Sequence, residues 1–497
     1  MQAVLTVIAL AASSPLDEYL AKVESVYKWE NTGATIDILG GATGHVLNVT
    51  SQTWLDPTKA HGPYGGAVWS HQVVVIVPKV VKQTDVALSY LTGGCNHAPG
   101  VPSATDEDIL VAATVSEMTG AVAIVVFQLP NCPIVYPSDP SKRGRTEDAM
   151  IAWAWHEFLV DPAANPEWLP RLPMVKGAMQ SMRAAAEFAL TLPTPLKLGG
   201  WLAAGASKRG WTTWMVGAAT CPTCVEIVAI APLVPIVPAL VREMHRQWQA
   251  YGGWTFAFQD YMEVNLTAHI DDPKMVQLTD AVDPMNFYDR LARIPKVVVL
   301  SSDDEFMMMD WSNVWWDELK GEKYLLIAQN AEHSLATGIP EVLETLANVV
   351  ATVAAKKALP TFTQTYDPTT GKLSVTIPEG VPHGKVVLRH ATTLQNKRRD
   401  FRWVRLANND TGACTFPDIP LSPPLFGGNC LQPVIWLGKT LAADSDDKNT
   451  YSATVPTPAN GAWTVSLCYV QYPVTFLSCE SFSQQFDSLP LTYYLTG

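Results

Sequence analysis

The sequence is short of positive charge. It carries 34 Lys and Arg against 47 Asp and Glu, a formal net charge of −13 at pH 7. Nucleic-acid affinity comes mainly from Lys and Arg neutralising phosphates, so this balance excludes nucleic-acid partners and argues against docking on an anionic membrane surface. Apolar runs of transmembrane length are also missing. The opening MQAVLTVIALAASSPLDEYL has an apolar core of about ten residues, the length of a signal-peptide h-region and too short to span a bilayer. It lacks a Lys or Arg at its start, but small residues follow the core, so residues 1–14 are expected to be a secretion signal. No membrane span is expected elsewhere. A zinc-hydrolase signature is absent too: His156-Glu157 begins like HExxH, but Leu159 and Val160 follow and no second histidine closes it. No metal and no cofactor is called for.

What is present is a globular composition, 48% hydrophobic and only 16% charged over 497 residues, long enough for two or three domains. The cysteines number eight, which fits an exported protein. Cys95 and Cys132 each follow one of two neighbouring predicted strands and are placed to pair across their loops. Cys221 and Cys224, in CPTC, lack thioredoxin-like surroundings and supply only half a zinc site, so a local disulfide is expected. Cys414, Cys430, Cys468 and Cys479 lie together in the C-terminal part and allow three connectivities. Asn48, Asn265 and Asn409 head glycosylation sequons, which suit secretion.

Between about residues 85 and 355, short apolar runs alternate with helical patterns. DVALSYLTGG, AVAIVVFQLPN, LGGWLAAGAS, VEIVAIAPLV, KVVVLSSDDEF and KYLLIAQNAEH are apolar on both faces, as strands of a covered parallel sheet are. DEDILVAATVSEM, TEDAMIAWAWHEFLV, MVKGAMQSMRAAAEFAL and IPEVLETLANVVATVAAKKAL read as the covering helices. The fold class is therefore α/β, a doubly wound, mostly parallel sheet over residues 15–358. An aromatic-rich stretch within residues 236–290 reads as a lid-like insertion or as extra helices packed on the core. From residue 359 to 497 helical periodicity disappears, and short alternating segments punctuated by Gly, Pro, Asn and Asp predict a β-sandwich-like domain.

Ligands of such sheets bind beyond the carboxyl ends of the strands, so the polar residues there come first. Ser207 stands where the strand LGGWLAAG meets the helix start KRGWTTW. A sharp turn at that junction would lift its hydroxyl above the sheet and offer the Lys208 amide to an oxyanion. The run departs from Gly-x-Ser-x-Gly, with Arg209 in place of the second glycine and Gly210 one position later. A serine needs a base, and the base needs a carboxylate, in the chain order Ser, acid, His. His333 follows the last predicted strand, where that order puts the base. Asp303, Asp304, Glu305 and Asp310 follow the strand before it; Asp304 is the favoured acid and Asp310 the second choice. In TGGCNH, the small residues Gly93 and Gly94, with Cys95, mark a loop whose amides would complete the oxyanion site.

With these residues in hand, the chain resembles the PhoPQ-activated pathogenicity-related proteins, a family that includes secreted proliferation repressors of amoebae. The resemblance runs through YLTGGCN, RTEDAMIAWAWHEFL, LPMVKGAMQSMRA, YGGWTFAFQDY, DDEFMMMDWSNVWWDELKGEKYLLIAQNAEHS and RHATTLQNKRRDFR, with GASKRGWTTW the most family-specific. It implies an α/β-hydrolase fold with Ser207, Asp304 and His333 as the triad, and it makes Arg209 a family feature. The family's PNQP stands here as PNCP, with Cys132 in place of Gln, which agrees with a disulfide at that position. Two functions are compatible with this reading. One is a secreted serine hydrolase acting on a small ester or peptide substrate. The other is a non-catalytic extracellular signal that binds a receptor.

Overall fold

The computed structural model describes residues 14–487 except 39, 64, 97–99, 368, 395, 407–414, 417–418, 421–428, 433, 456–457, 459–460, 475–476 and 482–484. The expected secretion signal lies outside the described residues but for Ser14, as do the Asn409 sequon and Cys414. Ser14 itself caps the helix Pro15–Ala21, exchanging hydrogen bonds with Asp17 in a capping box.

One nine-stranded sheet carries the fold. Its strands are β1 (Lys28–Asp37), β2 (Thr43–Thr53), β3 (Val68–Val77), β4 (Val86–Leu91), β5 (Ala123–Val126), β6 (Gly200–Ala206), β7 (Ile227–Leu233), β8 (Lys296–Ser301) and β9 (Lys323–Ala328). They lie in the order β1-β2-β3-β5-β4-β6-β7-β8-β9. The first three are antiparallel to their neighbours, and β4 to β9 are parallel. The six parallel strands are those expected from the doubly apolar runs. The antiparallel β1–β3 were not anticipated: β1 is an exposed edge strand, so it carries no continuous apolar signal.

Period-2 alternation sends successive side chains into two separate cores. Val73 and Val75 of β3, Ile124 and Val126 of β5, and Val298 and Leu300 of β8 enter one. Val74 and Ile76, Ala123 and Val125, and Val297 and Val299 enter the other. Helices α1 (Glu107–Thr119), α2 (Glu147–Val160), α3 (Arg171–Ala189) and α4 (Lys208–Ala218) follow the expected pattern. The insertion supplies α5 (Leu240–Tyr251) and α6 (Pro273–Val282), and α7 (Ile339–Ala354) closes the series. α1 and α7 join the second core, whereas α2, α3, α4 and the insertion join the first. The insertion is held by aromatic packing, with Trp155 against Trp211 and Tyr261 at centroid distances of 5.6 and 5.5 Å.

After α7 the described strands are antiparallel, the three Thr363–Asp367, Lys372–Thr376 and Thr450–Thr454 in one sheet and Val386–Thr392 with Thr464–Val474 at the centre of another. They enclose a small core of their own around Leu373, Val375, Leu388 and Val470. They also lean on the parallel-sheet unit: Phe401, Trp436, Val465 and Leu467 belong to the large first core. The expected disulfides Cys95–Cys132 and Cys221–Cys224 are present, with Cα separations of 4.6 and 5.1 Å. Pairing of all four C-terminal cysteines does not occur. Cys430 is disulfide-bonded, but Cys468 is a free thiol pointing into the small apolar core, where burial pushes it up to about 12.

Arg389 ties the two parts together. Its guanidinium donates to both carboxylate oxygens of Glu341 on α7, at 3.2 and 2.7 Å, and lies 4.0 Å over the Tyr469 ring. Arg389→Met should therefore lower stability by about 1–3 kcal/mol, because Glu341 loses its partner while remaining partly buried. Urea unfolding of the variant against the parent protein measures this.

Candidate active site

Ser207 sits between β6 and α4 with φ +58° and ψ −123°, a conformation that costs an L-residue of order 1–3 kcal/mol. Small neighbours make the turn possible. A Cβ on Gly205 would lie 3.0 Å from the Leu91 carbonyl, and one on Gly210 would lie 2.5 Å from the Leu233 carbonyl. The second glycine of the usual motif is thus displaced by one residue, and Gly210 performs its packing role. The Ser207 amide donates to the Leu233 carbonyl at 2.9 Å, anchoring the turn to β7.

Arg209, which replaces that glycine, reaches away from the turn. It donates to the Leu129 carbonyl and, at 2.6 Å, to Glu147 at the start of α2. A Cβ on Gly93 would come within 2.4 Å of its Nη2, so the missing side chain at Gly93 makes room for a guanidinium as well as exposing an amide. Lys208 meets Glu147 and Asp148, each at 3.0 Å. Burial alone would raise the Glu147 carboxyl, but Arg209 and Lys208 outweigh it and hold it at about 2. Sequence reasoning missed Glu147 and Asp148. The local sign was that two adjacent cations follow a half-buried serine turn and require counter-charge.

On the neighbouring loops, His333 Nδ1 lies 2.9 Å from both carboxylate oxygens of Asp304. Asp304 also accepts from the amides of Phe306 and Met307, each at 2.8 Å, and from the Ser301 hydroxyl at 3.1 Å. A group surrounded by donors is a carboxylate, so the imidazole proton resides on Nδ1 and Nε2 offers its lone pair. Nε2 is buried and has no hydrogen-bond partner among the described residues. Of the other acids considered, Asp310 is occupied by Arg246 and Arg399. Asp303 takes the Ser302 hydroxyl, and burial drives it up to about 8. Glu305 accepts the backbone amide of His333 at 2.8 Å and is raised by burial and by Asp304.

Ser207, His333 and Gly93 border one cavity of about 480 Å³, together with Tyr90, Asp108 and Ile339. Gly94 and Cys95 do not line it, and Cys95 is engaged in its disulfide. The Ser207 hydroxyl makes no hydrogen bond to His333, so the serine–imidazole contact expected at about 2.6–3.2 Å, or somewhat looser without a ligand, is not made as a hydrogen bond here. Such contacts commonly tighten only when a reacting group is bound.

The insertion grips the acid loop. Thr255 Oγ1 donates to the Glu305 carbonyl at 2.9 Å, and Gln247 Nε2 donates to the Phe306 carbonyl at 2.6 Å. Phe256 packs edge-on against Phe306, which in turn packs edge-on against the His333 ring at 4.3 Å between centroids. These loop contacts could not be read from periodicity, because they join residues far apart in the chain.

Comparison with known proteins places residues 16–402 in register with the PhoPQ-activated pathogenicity-related protein family. The autocrine proliferation repressor protein A of Dictyostelium discoideum is 34% identical over 476 residues, covering 94% of this chain and 88% of that protein. Among solved structures, an acetyl xylan esterase from Paenibacillus sp. R4 aligns with a TM-score of 0.42 at 12% identity, covering 68% of this chain and 95% of its own. Acetyl xylan esterase 1 from Thermoanaerobacterium sp. JW/SL YS485 aligns at 0.39 and 13%, over 68% and 92%.

Glu243 of α5 is wholly buried, and neither carboxylate oxygen has a hydrogen-bond partner among the described residues. Burial drives it up to about 8 against the opposing pull of Arg246 and Arg399. The folded chain therefore binds this proton more tightly than the unfolded chain, and the associated stability is lost as pH rises from about 4.5 through about 8. Glu243→Gln should flatten that dependence and raise stability at pH 8 by about 1–3 kcal/mol. Denaturant midpoints between pH 5 and 8 test it.

Proposed function

The chain belongs to the PhoPQ-activated pathogenicity-related protein family, and on that footing we propose that it is a secreted serine hydrolase cleaving a small ester or peptide bond. The observation that carries the proposal is the Asp304–His333 pair, which leaves a buried imidazole lone pair on the cavity that Ser207 also borders. In this reading Ser207 attacks the substrate carbonyl carbon and its proton passes to His333 Nε2. Asp304 stabilises the resulting imidazolium and holds its orientation. The oxyanion forms against the Lys208 amide, at the positive end of α4, and against the amide of Gly93, which borders the cavity where Gly94 and Cys95 do not. The imidazolium then protonates the leaving group, and water releases the acyl chain by the reverse sequence of proton transfers. Two disulfides in the described residues suit an oxidising compartment.

The relative named as an autocrine proliferation repressor favours a second reading, in which an extracellular signal acts through a receptor and uses the fold without turnover. A fluorophosphonate probe separates the two. The hydrolase reading expects native protein to be labelled on Ser207, and Ser207→Ala to lose both labelling and hydrolysis of p-nitrophenyl acetate while melting as the parent does. Asp304→Asn should fold and label roughly 10³-fold or more slowly, having lost the correct tautomer. Native protein that resists the probe while remaining folded overturns the hydrolase reading.

A further inference from the structure

Arg171 opens α3 and is buried at 4% exposure. Among the described residues it has no carboxylate within ion-pair distance, and its Nε has no hydrogen-bond partner. Burial lowers it to about 9, so it remains a cation at neutral pH. A buried, unpaired cation is costly and persists only where the surroundings compensate it. Here they do so with dipoles at contact distance, to which Asp148 adds a through-space attraction. Nη1 donates to the Lys208 carbonyl and, at 2.8 Å, to Thr212 Oγ1, while the guanidinium lies 4.4 Å over the Trp211 ring. All three partners belong to the first turns of α4, the helix that begins immediately after Ser207.

This placement differs from that of the two neighbouring cations. Lys208 and Arg209 are neutralised by Glu147 and Asp148, so their fields largely cancel at the turn. Arg171 is not cancelled by a contact ion pair. Its charge lies about one helical turn, roughly 5 Å, behind the amide end of α4, on the apolar side where screening by water is weakest. It adds to the positive helix terminus. Its hydrogen bond to the Lys208 carbonyl also fixes the peptide following the oxyanion amide.

Resting on the serine-hydrolase reading, we propose that Arg171 is a positioning residue for the nucleophile turn. Its buried charge stabilises the oxyanion through the first turn of α4 without touching substrate. The consequence is specific. The charge acts on the transition state, so its loss lowers kcat and leaves KM nearly unchanged.

The test compares Arg171→Met and Arg171→Lys with the parent, using p-nitrophenyl acetate hydrolysis and fluorophosphonate labelling. Melting curves run alongside select conditions where each variant is fully folded. Arg171→Met should reduce kcat and the maximal labelling rate by about 10–100-fold, less than the 10²–10³ typical of deleting a direct oxyanion donor. Arg171→Lys, which keeps the charge, should recover most of that loss. Thr212→Val removes one acceptor but leaves the charge in place, and should fall by less than about threefold. Equal kcat in Arg171→Met and the parent overturns the proposal, as does a loss confined to KM. If Arg171→Met does not fold, the Lys variant decides: a folded Lys variant with kcat reduced as far as about 100-fold overturns the role of charge. Failure of the underlying hydrolase reading looks different, because the parent protein itself would then neither label nor turn over.

Discussion

The backbone at Ser207 is the constraint on which the site depends. A left-handed residue between a buried strand and a buried helix is unfavourable in isolation and persists because its surroundings leave no alternative. Gly205 and Gly210 admit the Leu91 and Leu233 carbonyls, and the Ser207 amide is fixed to β7. Arg209 bolts the following turn to Leu129 and Glu147, and Arg171 fastens the Lys208 carbonyl from beneath. The contacts come from β4, β7, α2, α3 and the loop of Leu129. The strain is therefore supported by the packing of the whole sheet and its helices rather than by the turn sequence.

The charges around the turn are arranged in two ways. Lys208, Arg209, Glu147 and Asp148 form a compensated network with three ion pairs. Arg171 stands apart, solvated by a carbonyl, a hydroxyl and an aromatic face. On the other side of the site, Asp304 is likewise surrounded by neutral donors and the imidazole rather than by a cation. Pairing Asp304 with a guanidinium would compete for its lone pairs and weaken its hold on His333. Asp310, a few residues on, illustrates that fate: two arginines claim it.

Those arginines also explain why the later parts of the chain matter to a site they do not line. Arg246 comes from the insertion and Arg399 from the β-rich segment, and both converge on the loop that carries Asp304. Trp403 donates its amide to the Asp303 carbonyl, and Trp436 is joined to Asn330 near His333. The loops of Asp304 and His333 are thus clamped from two sides, which keeps their hydrogen-bonded pair in register.

The parallel strands and their helices were legible because strands buried on both faces must be apolar throughout, and the helices between them keep a 3.6-residue period. Chain order then made Ser207, Asp304 and His333 the residues to examine, since loops at the carboxyl ends of such strands share one edge of the sheet. Local pattern could not reveal β1, whose exposed face lacks an apolar rhythm, or the free state of Cys468, which depends on where its side chain points. Nor did it decide between Asp304 and Asp310, which stand six residues apart in one acidic stretch. The sequence by itself determined which chemical groups exist and which strand each follows. Only the tertiary structure decided which carboxylate meets the imidazole and which groups surround Arg171, because hydrogen bonds and ion pairs act over a few ångströms between residues whose separation along the chain carries no such information.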